Sequence, residues 1–261
     1  MRSERVEFPG SQGAVLAGRL DLPDEPPRAF AVFAHCFTCG KDVLAASRLS
    51  KALAGDGYAV LRFDFTGLGG SDGEFANTNF SSNVADLVAA ASYLREQHRA
   101  PSLLVGHSLG GAAVIAAAGQ IPEVRAVATI AAPADTDHLR HLLSAKAPDI
   151  EETGAATVCL AEREFTITQQ FLDDVATQPQ GERIRELAAA LLVMHSPVDR
   201  VVGVDNAGEI FRLARHPKSF VSLDDADHLL SRRADADYAA AILGVWASRY
   251  VDGPAVEDGA P

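Results

Sequence analysis

An α/β fold, with a mostly parallel sheet covered by helices on both faces, is predicted by two features of the sequence. Short runs such as Ala29 to Ala34 are apolar throughout, which is typical of strands buried on both faces. Segments with apolar residues at helical spacing separate these runs. Strands that alternate with helices form a mostly parallel sheet, and the chemistry of such sheets gathers outside the carboxyl ends of the strands.

The strands begin with a hairpin formed by residues 4–8 and 14–22, which turns through Pro9, Gly10 and Gly13. The other strands of the sheet are predicted from apolar runs at 29–34, 58–63, 103–105, 124–130, 191–194 and 219–223.

Three helices are predicted from apolar residues at helical spacing. The first covers 45–53 and stops at Gly55 and Gly57, and the second covers 84–94 after a start at Ser81 and Ser82. The last helix has a predicted apolar face made of Tyr238, Ala241, Ile242, Val245 and Trp246.

The interval from about 133 to 181 is longer than a strand-to-helix loop requires, so it is interpreted as a cap over the strand ends. A β-hairpin of 156–160 and 164–168 is predicted inside it, flanked by helical stretches at 137–146 and 169–176. Its apolar residues form either the roof of a substrate pocket or a small core of the cap itself. They are Leu142, Leu143, Phe165, Ile167, Phe171 and Leu172.

Composition narrows the class of protein. The 261 residues are 48% hydrophobic and 22% charged, with a net charge of −12, so a nucleic-acid partner is not expected. No long apolar segment indicates a membrane anchor, and three cysteines do not form a disulfide framework, so a cytoplasmic location is expected. We expect residues 1–250 to form one domain, 251–261 to be disordered, and a homo-oligomer to be possible.

Gly106-His107-Ser108-Leu109-Gly110-Gly111 lies between a predicted strand and a predicted helix, which is the setting of the nucleophile elbow G-x-S-x-G. A serine held at positive φ on such a turn needs small neighbours, which the glycines supply. Ser108 is therefore the candidate nucleophile. The N–H of Leu109, at the start of the following helix, is a candidate oxyanion donor.

A serine hydroxyl needs a base and a carboxylate that orients this base. His228 is the candidate base because it lies in a polar loop after the last predicted strand. Asp199 is the candidate acid because it follows the strand that ends at Met194. The competing acids are Asp205, which is assigned to a helix, and Asp224, Asp225 and Asp227, which are expected to shape the loop or to be solvated.

The segment after the third strand, His35 to Gly40, is expected to supply the second oxyanion donor, the N–H of Phe37. Cys36 and Cys39 also match a thiol-redox pair. His35, His107 and His195 all lie at predicted strand ends, where a zinc site is a weaker alternative. We expect neither a metal nor another cofactor.

These residues together resemble the α/β-hydrolase superfamily, and in particular serine esterases found alone or fused to an OsmC-like domain. The resemblance rests on motifs at 34–41, 62–73, 106–111 and 195–199 with 227–228. It implies an α/β-hydrolase fold with a small cap insertion, in which Ser108, Asp199 and His228 are catalytic and Phe37 and Leu109 form the oxyanion hole. The chain also resembles cinnamoyl esterases, whose cap contains a hairpin. Relatives commonly have glycine where this chain has Cys36 and Cys39.

The expected activity is hydrolysis of small to medium acyl or aryl esters through an acyl-enzyme intermediate, with a small-molecule ester as the partner. The predicted substrate pocket contains His35, Cys36, His107, Phe165 and Phe171. Thioesters or amides are alternative substrates because they need the same catalytic groups. A non-catalytic ligand-binding or thiol-redox protein that uses Cys36 and Cys39 is the alternative from a different class.

Overall fold

A mostly parallel sheet of eight strands is the centre of the computed structural model, which describes residues 1–35, 40–136, 150–160 and 163–252. Its strands are β1 (Arg2–Pro9), β2 (Val15–Leu22), β3 (Ala29–Ala34), β4 (Tyr58–Phe63), β5 (Leu103–His107), β6 (Ala126–Ile130), β9 (Ala190–His195) and β10 (Lys218–Ser222). They lie in the order β1-β2-β4-β3-β5-β6-β9-β10. The β1–β2 and β2–β4 pairs are antiparallel and the other pairs are parallel, which confirms the predicted fold class.

Helices cover both faces of the sheet. They are α1 (Leu44–Gly55), α2 (Phe80–Gln97), α3 (Leu109–Ala118), α4 (Ile150–Thr153), α5 (Gln169–Ala176), α6 (Gln180–Glu186), α7 (Asp205–Leu213) and α8 (Arg233–Val251), with a 3-10 turn at Phe75–Asn77. On one face of the sheet, α1 and α8 form an apolar cluster that includes Phe33 of β3. On the other face, α2, α3 and α7 form a second cluster that includes Val32 of β3. Adjacent strand residues point to opposite faces, so one apolar run serves both clusters. Among the described helices, none is long and apolar enough to cross a bilayer.

Three details of the secondary structure differ from the sequence prediction. The α2 helix begins after Asn79, whose side chain accepts a hydrogen bond from the N–H of Ser82, so Ser82 lies in the first turn and is not its start. The β10 strand is an edge strand, with Phe220 44% exposed, so the expectation that it is buried on both faces was wrong. An edge strand has a neighbour on one side only.

The buried face of α8 also differs from the prediction. Tyr238 is 51% exposed and Val245 is 77% exposed, so neither belongs to it. The buried residues are Ala236, Ala239, Ala240, Leu243, Gly244 and Ala247. Small residues are selected there because α8 packs closely on α1 and also contacts β6 and β9. The hydroxyl of Tyr58, on β4, reaches this helix and donates to the carbonyl of Gly244 at 2.8 Å.

The predicted cap hairpin is present as the antiparallel pair β7 (Ala155–Leu160) and β8 (Arg163–Thr168), and α5 follows it directly. Phe165 and Phe171 are buried in the same apolar cluster as α2 and α3, with the Phe165 ring centroid 5.0 Å from that of Phe75. Ile167 and Leu172 join this cluster. The described cap residues therefore pack on the main sheet domain and do not form a separate core. Leu142, Leu143, the stretch 137–146 and most of the tail 251–261 lie outside the described residues.

Candidate active site

Ser108 lies on the sharp turn between β5 and α3, with φ 56° and ψ −127°. A positive φ is unusual for a residue with a side chain, and it persists only where the surroundings hold it. The N–H of Ser108 donates to the carbonyl of Ile130 on the neighbouring strand at 2.8 Å. This hydrogen bond fixes the backbone of the turn at the carboxyl edge of the sheet.

The glycines around Ser108 are required by contacts between backbones. A Cβ atom on Gly106 would lie 2.2 Å from the carbonyl oxygen of Gly110. A Cβ atom on Gly110 would lie 2.5 Å from the carbonyl oxygens of both Ala34 and His35. These carbonyl oxygens belong to the backbone and cannot shift to make room for a side chain. Strand, turn and helix can therefore approach this closely only if both positions are glycine.

The structure brings Ser108, His228 and Asp199 together. The Nε2 atom of His228 lies 3.1 Å from Oγ of Ser108, and its Nδ1 lies 2.7 Å from Oδ2 of Asp199. His228 is in the loop after β10 and Asp199 is in the turn after β9. The three side chains thus form one continuous chain of hydrogen bonds along the carboxyl edge of the sheet.

Asp199 is held as a carboxylate. Its side chain is fully buried, and its Oδ1 accepts hydrogen bonds from the N–H groups of Val201 at 2.8 Å and Val202 at 3.0 Å. Burial opposes ionisation, but the hydrogen bonds from His228 and from the two N–H groups outweigh it and hold the pKa of Asp199 below its usual value. A charged Asp199 accepts a hydrogen bond from the N–H at Nδ1 of His228, which leaves the unprotonated Nε2 to face Ser108.

Comparisons with known proteins identify the family of this chain. Residues 25–150 match a family described as "Serine aminopeptidase, S33". The solved esterase domain of a Rhodothermus marinus protein is 50% identical, with a TM-score of 0.80, and the match covers 96% of this chain and 100% of that domain. The chain belongs to the serine esterases of the α/β-hydrolase superfamily.

This esterase is also similar to two proteins that are more distant in sequence or in coverage. Est1E from Butyrivibrio proteoclasticus, solved with ferulic acid bound, has a TM-score of 0.81 at 16% identity, covering 95% of this chain and 100% of its own, and shares the fold. Human mitochondrial palmitoyl-protein thioesterase ABHD10 is 36% identical over 98 residues, which are 37% of this chain and 30% of that protein.

The acid beside Nδ1 of His228 is Asp199, and the competing acids of the esterase have other positions. Asp205 begins α7. The carboxylate of Asp225 pairs with Arg232 at 2.7 Å, and that of Asp227 accepts hydrogen bonds from the N–H and the hydroxyl of Ser231. Asp224 adopts a φ of 47° at the bend of the loop. Asp224, Asp225 and Asp227 lie in the loop that carries His228, where Asp225 and Asp227 bind Arg232 and Ser231.

The three histidines at strand ends have different surroundings. His107 directs Nε2 to the carbonyl oxygen of His228 at 2.7 Å, and His195 directs Nε2 to that of Val202 at 2.8 Å. Burial lowers the pKa of His107 to about 4, with a further contribution from His228, and burial also lowers the pKa of His195. Nε2 of His35 lies 4.0 Å from Oδ1 of Asp64. His107 is therefore neutral near pH 7 and supports the backbone of the catalytic loop.

Of the two predicted oxyanion donors, the structure describes Leu109 but not Phe37. Leu109 is the first residue of α3, so its N–H has no acceptor within the helix. Phe37, Cys36 and Cys39 lie outside the described residues.

Asp64 holds the chain just after the predicted oxyanion segment. Its carboxylate accepts hydrogen bonds from the N–H of Lys41 at 2.6 Å, from Nζ of Lys41 at 2.8 Å and from the N–H of Gly70 at 2.9 Å. It is 1% exposed. Sequence reasoning gave Asp64 no role, although it lies within the motif at 62–73. An acidic residue directly after a strand that is apolar except for Arg62 was the available signal.

Two cavities border the predicted pocket residues. His35 and His107 line a cavity of about 380 Å³, and His35 also lines a cavity of about 10 Å³ beside Leu109. Phe165 is 6% exposed and Phe171 is 1% exposed, and neither borders these two cavities. The prediction that Phe165 and Phe171 line the substrate pocket therefore rests only on the interpretation of 133–181 as a cap. His35 and His107, in contrast, line a cavity.

Proposed function

We propose that this esterase hydrolyses small to medium acyl or aryl carboxylic esters by two-step acyl transfer. The observation that carries the proposal is the unbroken hydrogen-bond chain from Ser108 through His228 to Asp199, with distances of 3.1 Å and 2.7 Å. Aryl acyl groups are included because the similar Est1E was solved with ferulic acid bound.

In the acylation step, Nε2 of His228 takes the proton of the Ser108 hydroxyl while Oγ attacks the ester carbonyl. The carbonyl oxygen becomes an oxyanion, which accepts hydrogen bonds from the N–H groups of Leu109 and Phe37. Asp199 stabilises the imidazolium that forms. His228 then gives the proton to the departing alcohol, and the acyl group stays on Ser108.

In the deacylation step, a water molecule takes the place of the alcohol. His228 removes a proton from the water as it attacks the acyl carbonyl, and the same N–H groups hold the second oxyanion. The acid product leaves and the proton returns to Ser108. These steps use only side chains, backbone N–H groups and water.

Labelling with a fluorophosphonate tests the proposal, because this reagent reacts with an activated serine. We expect one adduct, mapped by mass spectrometry to Ser108, and loss of p-nitrophenyl acetate hydrolysis in Ser108→Ala. Ser248→Ala, at a half-buried position of α8, is the matched control and should retain both labelling and activity. Full activity of Ser108→Ala would remove Ser108 from the mechanism.

Thioester hydrolysis is the second candidate activity, and it is supported by the similarity to the thioesterase ABHD10. The same catalytic groups cleave either bond, so the substrates must be compared directly. We propose to measure kcat/KM for an ester, a thioester and an amide that carry the same acyl group. A kcat/KM at least tenfold higher for the thioester would assign the chain to that activity.

A further inference from the structure

The loop that carries the base of the triad is anchored by buried residues on both sides of His228. Ala226 is 0% exposed and Leu230 is 1% exposed, whereas Leu229, which directly follows the base, is 53% exposed. Burial therefore fixes the backbone two residues before and two residues after His228, and the backbone at His228 itself depends on another contact.

A hydrogen bond from His107 supplies this contact. Nε2 of His107 lies 2.7 Å from the carbonyl oxygen of His228, and in the part of the chain that the structure describes this is the one hydrogen bond to the backbone of His228. A carbonyl oxygen can only accept, so Nε2 of His107 carries the proton. His107 is the last residue of β5, a strand in the interior of the sheet, so the base is tied to a rigid element.

The contact closes a ring of bonds between the nucleophile and the base. His107 directly precedes Ser108 in the chain, and His228 binds the first of these residues through its carbonyl and the second through Nε2, at 3.1 Å. Asp199 holds only the opposite edge of the imidazole, through Nδ1. The distance of 3.1 Å leaves little margin, because a separation of about 3.6 Å is no longer a hydrogen bond.

We propose that His107 is a positioning residue that keeps His228 within hydrogen-bonding distance of Ser108 in both steps of the reaction. The inference rests on the proposed function. The ring centroid of His107 lies 5.1 Å from that of His228, and burial lowers the pKa of His107 to about 4. A ring that is neutral at pH 7 does not oppose the positive charge that His228 acquires when it takes the proton of Ser108.

Methionine and glutamine at position 107 test this role, because the two side chains have similar length and shape and only glutamine has an N–H. We expect His107→Met to lower kcat for p-nitrophenyl acetate about 10²-fold, since a misplacement of about 1 Å has an effect of this size. KM should change by less than about twofold, because acylation and deacylation both use His228 and slow together. His107→Gln still donates to the carbonyl of His228, so its kcat should be about tenfold or more above that of His107→Met.

Circular dichroism at the assay temperature shows whether each variant is folded. His107→Phe, which keeps a ring without an N–H, takes the place of His107→Met if the latter does not fold. His98→Met, at an exposed histidine, is the matched control and should have the kcat of the wild type. A purely structural role of His107 would lower the unfolding midpoint and leave the kcat of the folded variant unchanged.

Two results would overturn the assignment. One is a kcat of folded His107→Met within about threefold of the wild type, which is less than the worth of one hydrogen bond. The other is an equal loss of kcat in His107→Met and His107→Gln. Labelling of wild-type Ser108 by a fluorophosphonate in the same preparation separates these results from a failure of the proposed function, which would leave the wild type itself unlabelled.

Discussion

Replacing His107 with glutamine removes one buried titratable ring and retains a side chain that can donate to the carbonyl of His228. In the folded chain burial lowers the pKa of His107 to about 4, whereas an unfolded histidine has a pKa of about 6.5. Between these two values the unfolded chain binds a proton that the folded chain does not. Acidification across this window therefore favours unfolding, and the stability of the wild type falls as the pH is lowered from about 6.5 towards 4.

The size of the effect follows from the two pKa values. Linkage gives a contribution of about 2 kcal/mol to the loss of stability between pH 7 and pH 5, and it approaches about 3 kcal/mol once the pH falls below 4. His107 is almost completely buried, at 5% exposure, so solvent screening reduces this contribution to the stability only slightly. His195, whose pKa is also lowered, contributes in the same direction to the wild type and to the variant.

Urea unfolding at pH 7 and pH 5 measures the contribution of His107. The change in the free energy of unfolding between the two pH values is compared for the wild type and for His107→Gln. We expect the free energy of unfolding of the wild type to drop about 2 kcal/mol more between the two pH values than that of His107→Gln. His98→Gln, at an exposed histidine, is the matched control and should change this difference much less. Equal pH dependence in the wild type and His107→Gln would refute the reasoning that burial keeps this imidazole neutral.

Two further substitutions test the site. Asp199→Asn should lower kcat about 10⁴-fold in ester hydrolysis with little change in the thermal unfolding midpoint, because His228 loses its orienting charge; a loss below tenfold would contradict this. Gly110→Ala should lower the unfolding midpoint strongly, because its Cβ would lie 2.5 Å from two carbonyl oxygens. Gly208→Ala, in α7 with no atom within 4 Å, should raise stability by about 1 kcal/mol, and calorimetry of both variants checks the contrast.

The sequence was most informative where local chemistry leaves few choices. The run Ala29–Ala34 has the predicted bounds, and so does the helix Gln169–Ala176. Glycines on both sides of Ser108 indicated a close backbone contact, and the structure agrees, because a Cβ atom added to Gly106 would lie 2.2 Å from the carbonyl oxygen of Gly110. The placement of Asp199 and His228 followed from the rule that parallel strands end at one edge of the sheet.

The sequence was less informative where packing selects between equivalent faces or edges. The burial of α8 depends on its close approach to α1, so alanines are buried and Val245 is exposed. The role of Asp64 became visible only when Lys41 and Gly70, distant in the chain from one another, donated to one carboxylate.

Local patterns in the sequence determined the succession of strands and helices, the turn that carries Ser108 and the choice of candidate acid and base, because each depends on residue type within a few positions. The tertiary structure alone decided the 3.1 Å and 2.7 Å distances that join Ser108, His228 and Asp199, and the cavity beside His107 and Leu229. The two distances join residues 120 and 29 positions apart in the chain, and they are set by how the loops fold onto the edge of the sheet and not by any local pattern.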